Sequence, residues 1–329
     1  ERSRKKEDPH RRWLKDMVYN FLRPDQNNVK YDVVEVSKLL DLAIEDVKTQ
    51  PTLLEFNSPT YICGDIHGQI TDLRRIFHIC GYPNTKRFLF LGDYVDRGAH
   101  SIGVICVLLS LRLLFKDNVH LLRGNHELQH INKSYGFSDD INSRWGKDGP
   151  KTKELYRKFN ETFAFLPLAA VINKKILCMH GGLSPDLEKL DNIRDLERPI
   201  QVPRKLAQDI LWADPLAGIT KFSHNTMRAC SFNFGEKDVF IRLDQMELSK
   251  LIRAHQVVQF GWESFANGRV MTVFTASRYQ DDLYNYGAIM DVQKNLKMEV
   301  IMIKPADFEE VKNAVQEELT KDTSKIDEE

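Results

Sequence analysis

RFLFLGDYVDRG, residues 87–98, is the stretch on which the fold turns: an apolar run of strand length stops at a glycine and hands over to two aspartates and an arginine. Taken alone it reads as a polar turn closing a buried strand, because Gly and Asp end strands for purely conformational reasons. What changes that reading is repetition. TYIC runs into Gly64, NVHLL into Arg123, KKILCM into His180, LIRA into His255 and VMTVFT into Ala276, each a short apolar run of strand composition. Helical patterns lie between several of them, ITDLRRIFHIC and the segment after Gly98 most clearly. Strands alternating with helices predict an α/β core with parallel or mixed sheets.

Working outward, residues 11–50 carry helical spacing, notably VSKLLDLAIEDV, up to the break at Pro51. Residues 144–154, RWGKDGPKTKE, read as an exposed loop before the helix YRKFNETFAFL. Residues 200–235, rich in Pro, Gly and polar residues around LAQDILWADP, read as extended surface covering the core. A flexible basic start over 1–10, one catalytic domain over 11–308 and a charged tail over 309–329, partly disordered, are the expected divisions, with no internal repeat.

The 329 residues are 42% hydrophobic and 29% charged, enough to bury a large core, and the 47 basic and 47 acidic residues cancel. A neutral chain has no broad attraction to nucleic acid or to an anionic membrane. The longest apolar run, Ile102 to Phe115, is too short to span a bilayer and contains Arg112, so it is expected to be a core helix. ERSRKKEDPHRRW lacks the apolar centre of a signal peptide and reads as a trimmed boundary or a nuclear-type basic cluster. Cys63, Cys80, Cys106, Cys178 and Cys230 form no CxxC pair, which points to reduced thiols and a cytoplasmic or nuclear residence.

The strand ends carry the chemistry. Asp65 and His67 in GDIHG are two apart, so an extended backbone would point both to one side. Asp93 follows the next strand, Asn125 and His126 the third in RGNHE, His180 the fourth in HGG, and His255 the end of LIRAH. A single Asp there is commonly a cap and a single His commonly a structural hydrogen-bonding residue. A whole series at strand ends, where α/β sheets present ligands, points instead to a metal site. Carboxylate, amide and imidazole without thiolate favour Mn²⁺, Fe²⁺ or Zn²⁺.

GDIHGQ, GDYVDRG, RGNHE, HGG and RAHQVV, in that order, resemble the PPP family of metal-dependent serine/threonine protein phosphatases. INKSYGF, LSPDL, LWADP and SFNFG extend the likeness, which covers roughly residues 10 to 306 and lies nearer the protein phosphatase 1 group than the calcineurin group. The resemblance implies a metallophosphoesterase-type central β-sandwich of mixed sheets flanked by helices, and hydrolysis of phosphoserine and phosphothreonine. It implies two divalent cations, Mn²⁺ as such enzymes are assayed and Fe²⁺ or Zn²⁺ as cellular alternatives. One would be held by Asp65, His67 and Asp93, the other by Asn125, His180, His255 and the shared Asp93, with direct in-line attack by the hydroxide bridging them. His126 would protonate the departing oxygen and Asp96 would orient it. Arg97, Arg228 and Tyr279 would hold the phosphate, with Arg123 a further candidate.

The chain also departs from the family. TASRYQ, residues 275–280, replaces the usual Ser-Ala-Pro-Asn-Tyr-Cys run, so that Arg278 is expected to add anion affinity or to pair with Asp281 or Asp282, and Gln280 replaces a cysteine. Ala229 and Cys230 stand for glycine and valine after Arg228, Asn233 for threonine, and the 144–154 loop is longer. Phosphoproteins and regulatory or targeting subunits are the implied partners, with no nucleic acid and no membrane insertion. The subunits would use a hydrophobic groove formed by Ile289, Met290, Leu296, Met298 and Val300, altered here by Lys250 and Ser264 where leucine and phenylalanine are expected. Two other readings are a pseudophosphatase that only positions partners and a metallophosphoesterase for small phosphoesters. The first would commonly lack a metal ligand or His126, and none is missing.

Overall fold

A computed structural model describes residues 9–23, 29, 32–147, 149–280 and 283–305. The charged tail, most of the basic start, and Asp281 and Asp282 lie outside them. In chain order the elements are α1 (Pro9–Phe21), α2 (Val33–Thr49), β1 (Leu53–Phe56), β2 (Thr60–Cys63), α3 (Ile70–Cys80), β3 (Phe88–Phe90), α4 (Ser101–Leu114) and β4 (Val119–Leu121). Then come α5 (Gln129–Asn132), α6 (Phe137–Trp145), α7 (Pro150–Ala164), β5 (Ala169–Ile172), β6 (Ile176–Met179), α8 (Asp191–Arg194), α9 (Leu206–Trp212), β7 (Asp214–Pro215), β8 (Ser223–His224) and β9 (Phe232–Phe234). The last are α10 (Glu236–Gln245), β10 (Lys250–Arg253), β11 (Trp262–Phe265), β12 (Val270–Val273), β13 (Gly287–Val292) and β14 (Met298–Ile303).

Two mixed sheets form the centre, ordered β1-β5-β6-β10-β12-β11 and β14-β13-β2-β3-β4, with a small β7-β9-β8 sheet beside them. Side-chain alternation explains why FLFL is apolar throughout. Phe88 and Phe90 face the helical layer of α1 to α4 and α7, whereas Leu89 and Leu91 face the other sheet. Ile62, Leu122, Cys178, Ile252, Val273 and Met290 fill the space between the sheets. The far face of the six-stranded sheet packs Leu177, Met179, Leu251 and Val270 against Leu206, Ile210, Val239 and Leu243 of α9 and α10. This is an α/β fold of mixed sheets flanked by helices, the architecture expected.

β2, β3 and β4 run parallel in one sheet, and β6, β10 and β12 run parallel in the other. Their carboxyl ends therefore gather the strand-end residues. The expected core helix is α4, and its Arg112 donates from Nε to Asp46 Oδ2 at 2.8 Å and from Nη1 to Val119 O at 2.9 Å. Among the described residues no helix is long and apolar enough to cross a membrane. Four cysteines are buried, Cys230 is half-buried, and none is bridged.

Two local expectations change. The predicted loop over 144–154 is mostly helical, since α6 reaches Trp145 and α7 begins at Pro150, a residue suited to a first helical turn. The 200–235 segment is not simply extended cover. It contributes α9, whose Leu206, Ala207, Ile210 and Leu211 are buried, together with the small sheet.

Candidate active site

Asp65, His67, Asp93, Asn125, His180 and His255 are brought together, each 7% exposed or less. Asp93 lies at the centre, with Oδ2 3.5 Å from His67 Nε2 and 3.3 Å from His180 Nε2. Asp65 Oδ2 is 3.6 Å from His67 Nε2 on one side. On the other, His180 Nε2 is 2.8 Å from Asn125 Oδ1 and 3.2 Å from His255 Nδ1. Asp65 and His67 do not meet through extended backbone as expected. His67 has φ 46°, and a left-handed turn after β2 swings its ring back toward Asp65.

Backbone groups aim these side chains. His67 Nδ1 is 2.9 Å from Val95 O and His180 Nδ1 is 3.2 Å from Leu91 O, so both rings turn Nε2 toward Asp93. Asp93 Oδ1 accepts from His126 N at 2.8 Å, and Asp65 Oδ1 accepts from His255 N at 2.9 Å. The β3 and β4 ends can approach this closely only because Gly92, at φ 111°, and Gly124 carry no side chain. A Cβ on Gly92 would lie 2.3 Å from Gly124 N, and one on Gly124 would lie 2.2 Å from Asp93 Oδ1.

Charge is concentrated among these groups. Burial alone would depress the His67 imidazole, but Asp65 and Asp93 push it up to about 9, and Asp93 likewise raises His180 against burial. Asp93, although burial opposes it, is held well below the usual carboxylate range by His180, His126 and His67. His255 goes the other way, lowered by burial and by Arg228, His180 and Arg253. His67, Asp93 and His126 form one group with ligand atoms within 4.8 Å of one another, in which His126 is the outer member and Asp65 adjoins His67, and Asp93, His180 and His255 form a second. Two metal-binding clusters sharing a carboxylate are the arrangement of a dinuclear site. The donor set of buried carboxylates, imidazoles and an amide without thiolate suits borderline divalent cations.

His126 borders the cluster, its Nε2 3.9 Å from Asp93 Oδ2 and its Nδ1 2.6 Å from Asp96 Oδ2. Asp96 is fully buried, and its other oxygen accepts from Phe137 N at 2.8 Å. As a carboxylate Asp96 accepts from His126 Nδ1–H, which leaves Nε2 on the side of Asp93. Arg97 is exposed, with its guanidinium carbon 4.3 Å from the Tyr135 ring. The Tyr279 ring lies 5.1 Å from that of His67, and burial pushes its phenol well above the usual range. Arg228 donates from Nε to Asp214 Oδ2 at 2.9 Å and from Nη2 to His255 O at 3.2 Å, at the cluster's other edge.

Arg123 is not a site residue. It is buried and donates to the carbonyls of Ile200 and Glu127, and so braces the loop instead of facing a ligand. Arg278 stacks 5.2 Å from Tyr284, while its expected partners Asp281 and Asp282 lie outside the described residues. Sequence reasoning passed over three buried charges. Glu127, the last residue of RGNHE, accepts from the backbone N–H groups of Asp93, Tyr94 and Gly124 at 2.8–2.9 Å. Asp214 of LWADP sits between Arg228 and Arg253, the latter fully buried and donating to it at 2.9 Å. Both carboxylates lay within quoted motifs, which was the signal available.

A family model for calcineurin-like phosphoesterases matches residues 58–259, from the strand before Asp65 to just past His255. The chain belongs to the calcineurin-like phosphoesterase family. A protein serine/threonine phosphatase from Saccharomyces cerevisiae, described as similar to human phosphatase PP5, superposes with a TM-score of 0.77 at 29% identity, over 84% of this chain and 91% of that one. A cold-active protein-tyrosine phosphatase from a Shewanella species shares the fold, with a TM-score of 0.54 at 17% identity over 78% of this chain and 84% of that one. This calcineurin-like phosphoesterase is thus related to PP5-type members of the PPP phosphatases and carries a metal-dependent phosphoesterase site.

Proposed function

We propose that the chain is a protein serine/threonine phosphatase, with a placement near the protein phosphatase 1 group resting on its motifs alone. The observation that carries the reading is the His126–Asp96 pair, 2.6 Å apart, beside a cluster that presents ligands for two cations. Asp65, His67 and Asp93 would hold one cation, and Asp93, Asn125, His180 and His255 the other. Mn²⁺, Fe²⁺ and Zn²⁺ all suit these donors. Bound there, the cations would supply an acidified water and draw charge from the phosphoryl oxygens.

The chain's own groups account for the remaining demands of a direct displacement. Arg97, Arg228 and Tyr279 surround the cluster and would hold the phosphate oxygens with the seryl or threonyl oxygen toward solvent. His126, its Nδ1 proton held on Asp96, would pass a proton from Nε2 to the departing oxygen. Mn²⁺-dependent turnover of phosphoserine peptides, lost in His126→Asn and Asp93→Ala, is the expected result. Faster turnover of nucleotides would favour the small-phosphoester reading. Activity of the folded, metal-loaded parent that is negligible and no higher than that of the two variants would leave only a partner-positioning role.

Regulatory segments are proposed to meet an altered groove at the open end of the sandwich. Ile289 does not belong to it, because in β13 it is fully buried toward the helices, while Met290 points between the sheets. Leu296, Met298 and Val300 are only partly buried along that inter-sheet side. Lys250 Nζ donates to Gly268 O at 2.5 Å, and Ser264 is exposed on β11, so a charge and a hydroxyl stand beside the apolar rim. Phosphoproteins are the proposed substrates, and the unbridged thiols support a cytoplasmic or nuclear location.

A further inference from the structure

The two arginines flanking the cluster are held in opposite ways. Arg228 is tethered by a carboxylate, with Asp214 Oδ2 2.9 Å from its Nε, so part of its charge is already answered by the protein. Arg97 is tethered by a neutral group. With its amide oxygen turned to the guanidinium, Gln280 accepts from Arg97 Nη1 and Nε at 3.2 Å each. Tyr135 lies under the same guanidinium at 4.3 Å. Gln280 reaches this position from a left-handed backbone conformation, φ 56°, that costs a non-glycine residue energy and is retained where the surroundings demand it. Its side chain also hydrogen-bonds Tyr279, which lies over His67.

We propose that Gln280 is a positioning residue that pre-sets Arg97 for a phosphate monoester while leaving its full positive charge to the ligand. The inference rests on the phosphatase reading of the site and deepens it. A long arginine side chain exposed at a site mouth loses rotamer freedom when it captures an anion. Stacking on Tyr135 restrains the plane of the guanidinium, and the Gln280 amide restrains its rotation within that plane. Neither group competes for charge, unlike a carboxylate, so the ordering is achieved before the phosphate arrives.

The test uses the full chain loaded with Mn²⁺, and measures inorganic phosphate binding by calorimetry together with phosphopeptide kinetics. Gln280→Ala is expected to weaken phosphate roughly five- to ten-fold and to raise KM more than it lowers kcat. Gln280→Glu, which keeps the reach but adds a competing charge, should weaken phosphate further. On an Arg97→Ala background the Gln280→Ala penalty should shrink to the smaller part that acts through Tyr279. Gln280 is exposed, so thermal unfolding of the variants should match that of the parent. Phosphate affinity within two-fold of the parent in Gln280→Ala, Gln280→Glu binding phosphate no more weakly than Gln280→Ala, or an undiminished penalty on the Arg97→Ala background, would overturn the proposal. A parent chain that neither binds phosphate nor turns over phosphopeptide would instead sink the phosphatase reading on which it stands.

Discussion

Asp96→Asn isolates the proton that His126 is proposed to deliver. In the parent, Asp96 Oδ2 holds His126 Nδ1 at 2.6 Å and Oδ1 accepts from Phe137 N at 2.8 Å. Asparagine has one oxygen, and the Phe137 N–H will claim it. Its NH₂ then faces Nδ1, which must become an acceptor, so the ring keeps a proton on Nε2 only as a neutral imidazole and is a poor acid. General acid catalysis contributes typically 10²–10⁴-fold, so a loss of roughly 10²-fold in kcat for phosphoserine peptide, about 2.7 kcal/mol of barrier, is expected. An aryl phosphate such as p-nitrophenyl phosphate needs little protonation of its leaving oxygen and should slow by about ten-fold or less. Steady-state kinetics on both substrates, with metal content measured alongside, gives the contrast. Equal losses on the two substrates, or no loss on the peptide, would refute the assignment of His126 as the acid and of Asp96 as the group that orients it.

Glu127→Gln keeps one oxygen for the Asp93 and Gly124 N–H groups but turns an NH₂ toward the buried Tyr94 N–H, and unfolding in urea should show a loss of about 1–3 kcal/mol together with weaker Mn²⁺ binding. Unchanged stability would mean that the Tyr94 N–H does not depend on this carboxylate. Ala229 sits at φ 55°, where an alanine costs about 1–2 kcal/mol, so Ala229→Gly should stabilise the fold by about 0.5–1 kcal/mol once the looser unfolded chain is counted. Destabilisation in the same urea assay would contradict the strain. His120 stacks on Phe56 at 4.3 Å with Nε2 unpaired, and burial, reinforced by Arg112 and Arg87 against a hydrogen bond the ring donates to the Asp117 backbone, pushes it down to about 4. Its folded value lies below the unfolded one, so its contribution is complete above about pH 6.5 and is lost as pH falls toward 4. Stability should drop by about 1–2 kcal/mol between pH 7 and 5 on its account, and His120→Phe should flatten the profile. An identical pH profile in that variant would show that the imidazole takes up its proton equally in the folded and unfolded chains.

The strands that could be read in advance were those buried on both faces, such as FLF and ILCM, where a continuous apolar run ends at a glycine or histidine. β1 escaped because its LLEF is short and broken by exposed Glu55, β5 because four apolar residues have no distinguishing period, and β11 because its Glu263 and Ser264 are exposed on a sheet edge. The six ligands were legible for a local reason, each being the polar residue just past a strand. Arg123 was a further candidate beside Arg97 and Arg228 in sequence, and its burial against Glu127 O and Ile200 O removes it from the site. Glu127, Asp214 and Arg253 were unreadable as a group, since their roles depend on partners supplied by separate segments.

Composition, spacing and strand-end chemistry were enough to indicate an α/β chain with metal-ligating residues at its strand ends, while the division of those residues between two cations came with the resemblance to the PPP family. They could not say which strand ends face one another. Asp65 and His255 are 190 positions apart, yet the His255 N–H bonds the Asp65 carboxylate at 2.9 Å. That meeting exists because the inter-sheet core locks the carboxyl ends of β2, β3 and β4 against those of β6 and β10. Local residue types decide what a strand end can bind. The packing of the two sheets decides that the ends bind together, and turns Gln280 onto Arg97 and Asp214 onto Arg228 at the rim.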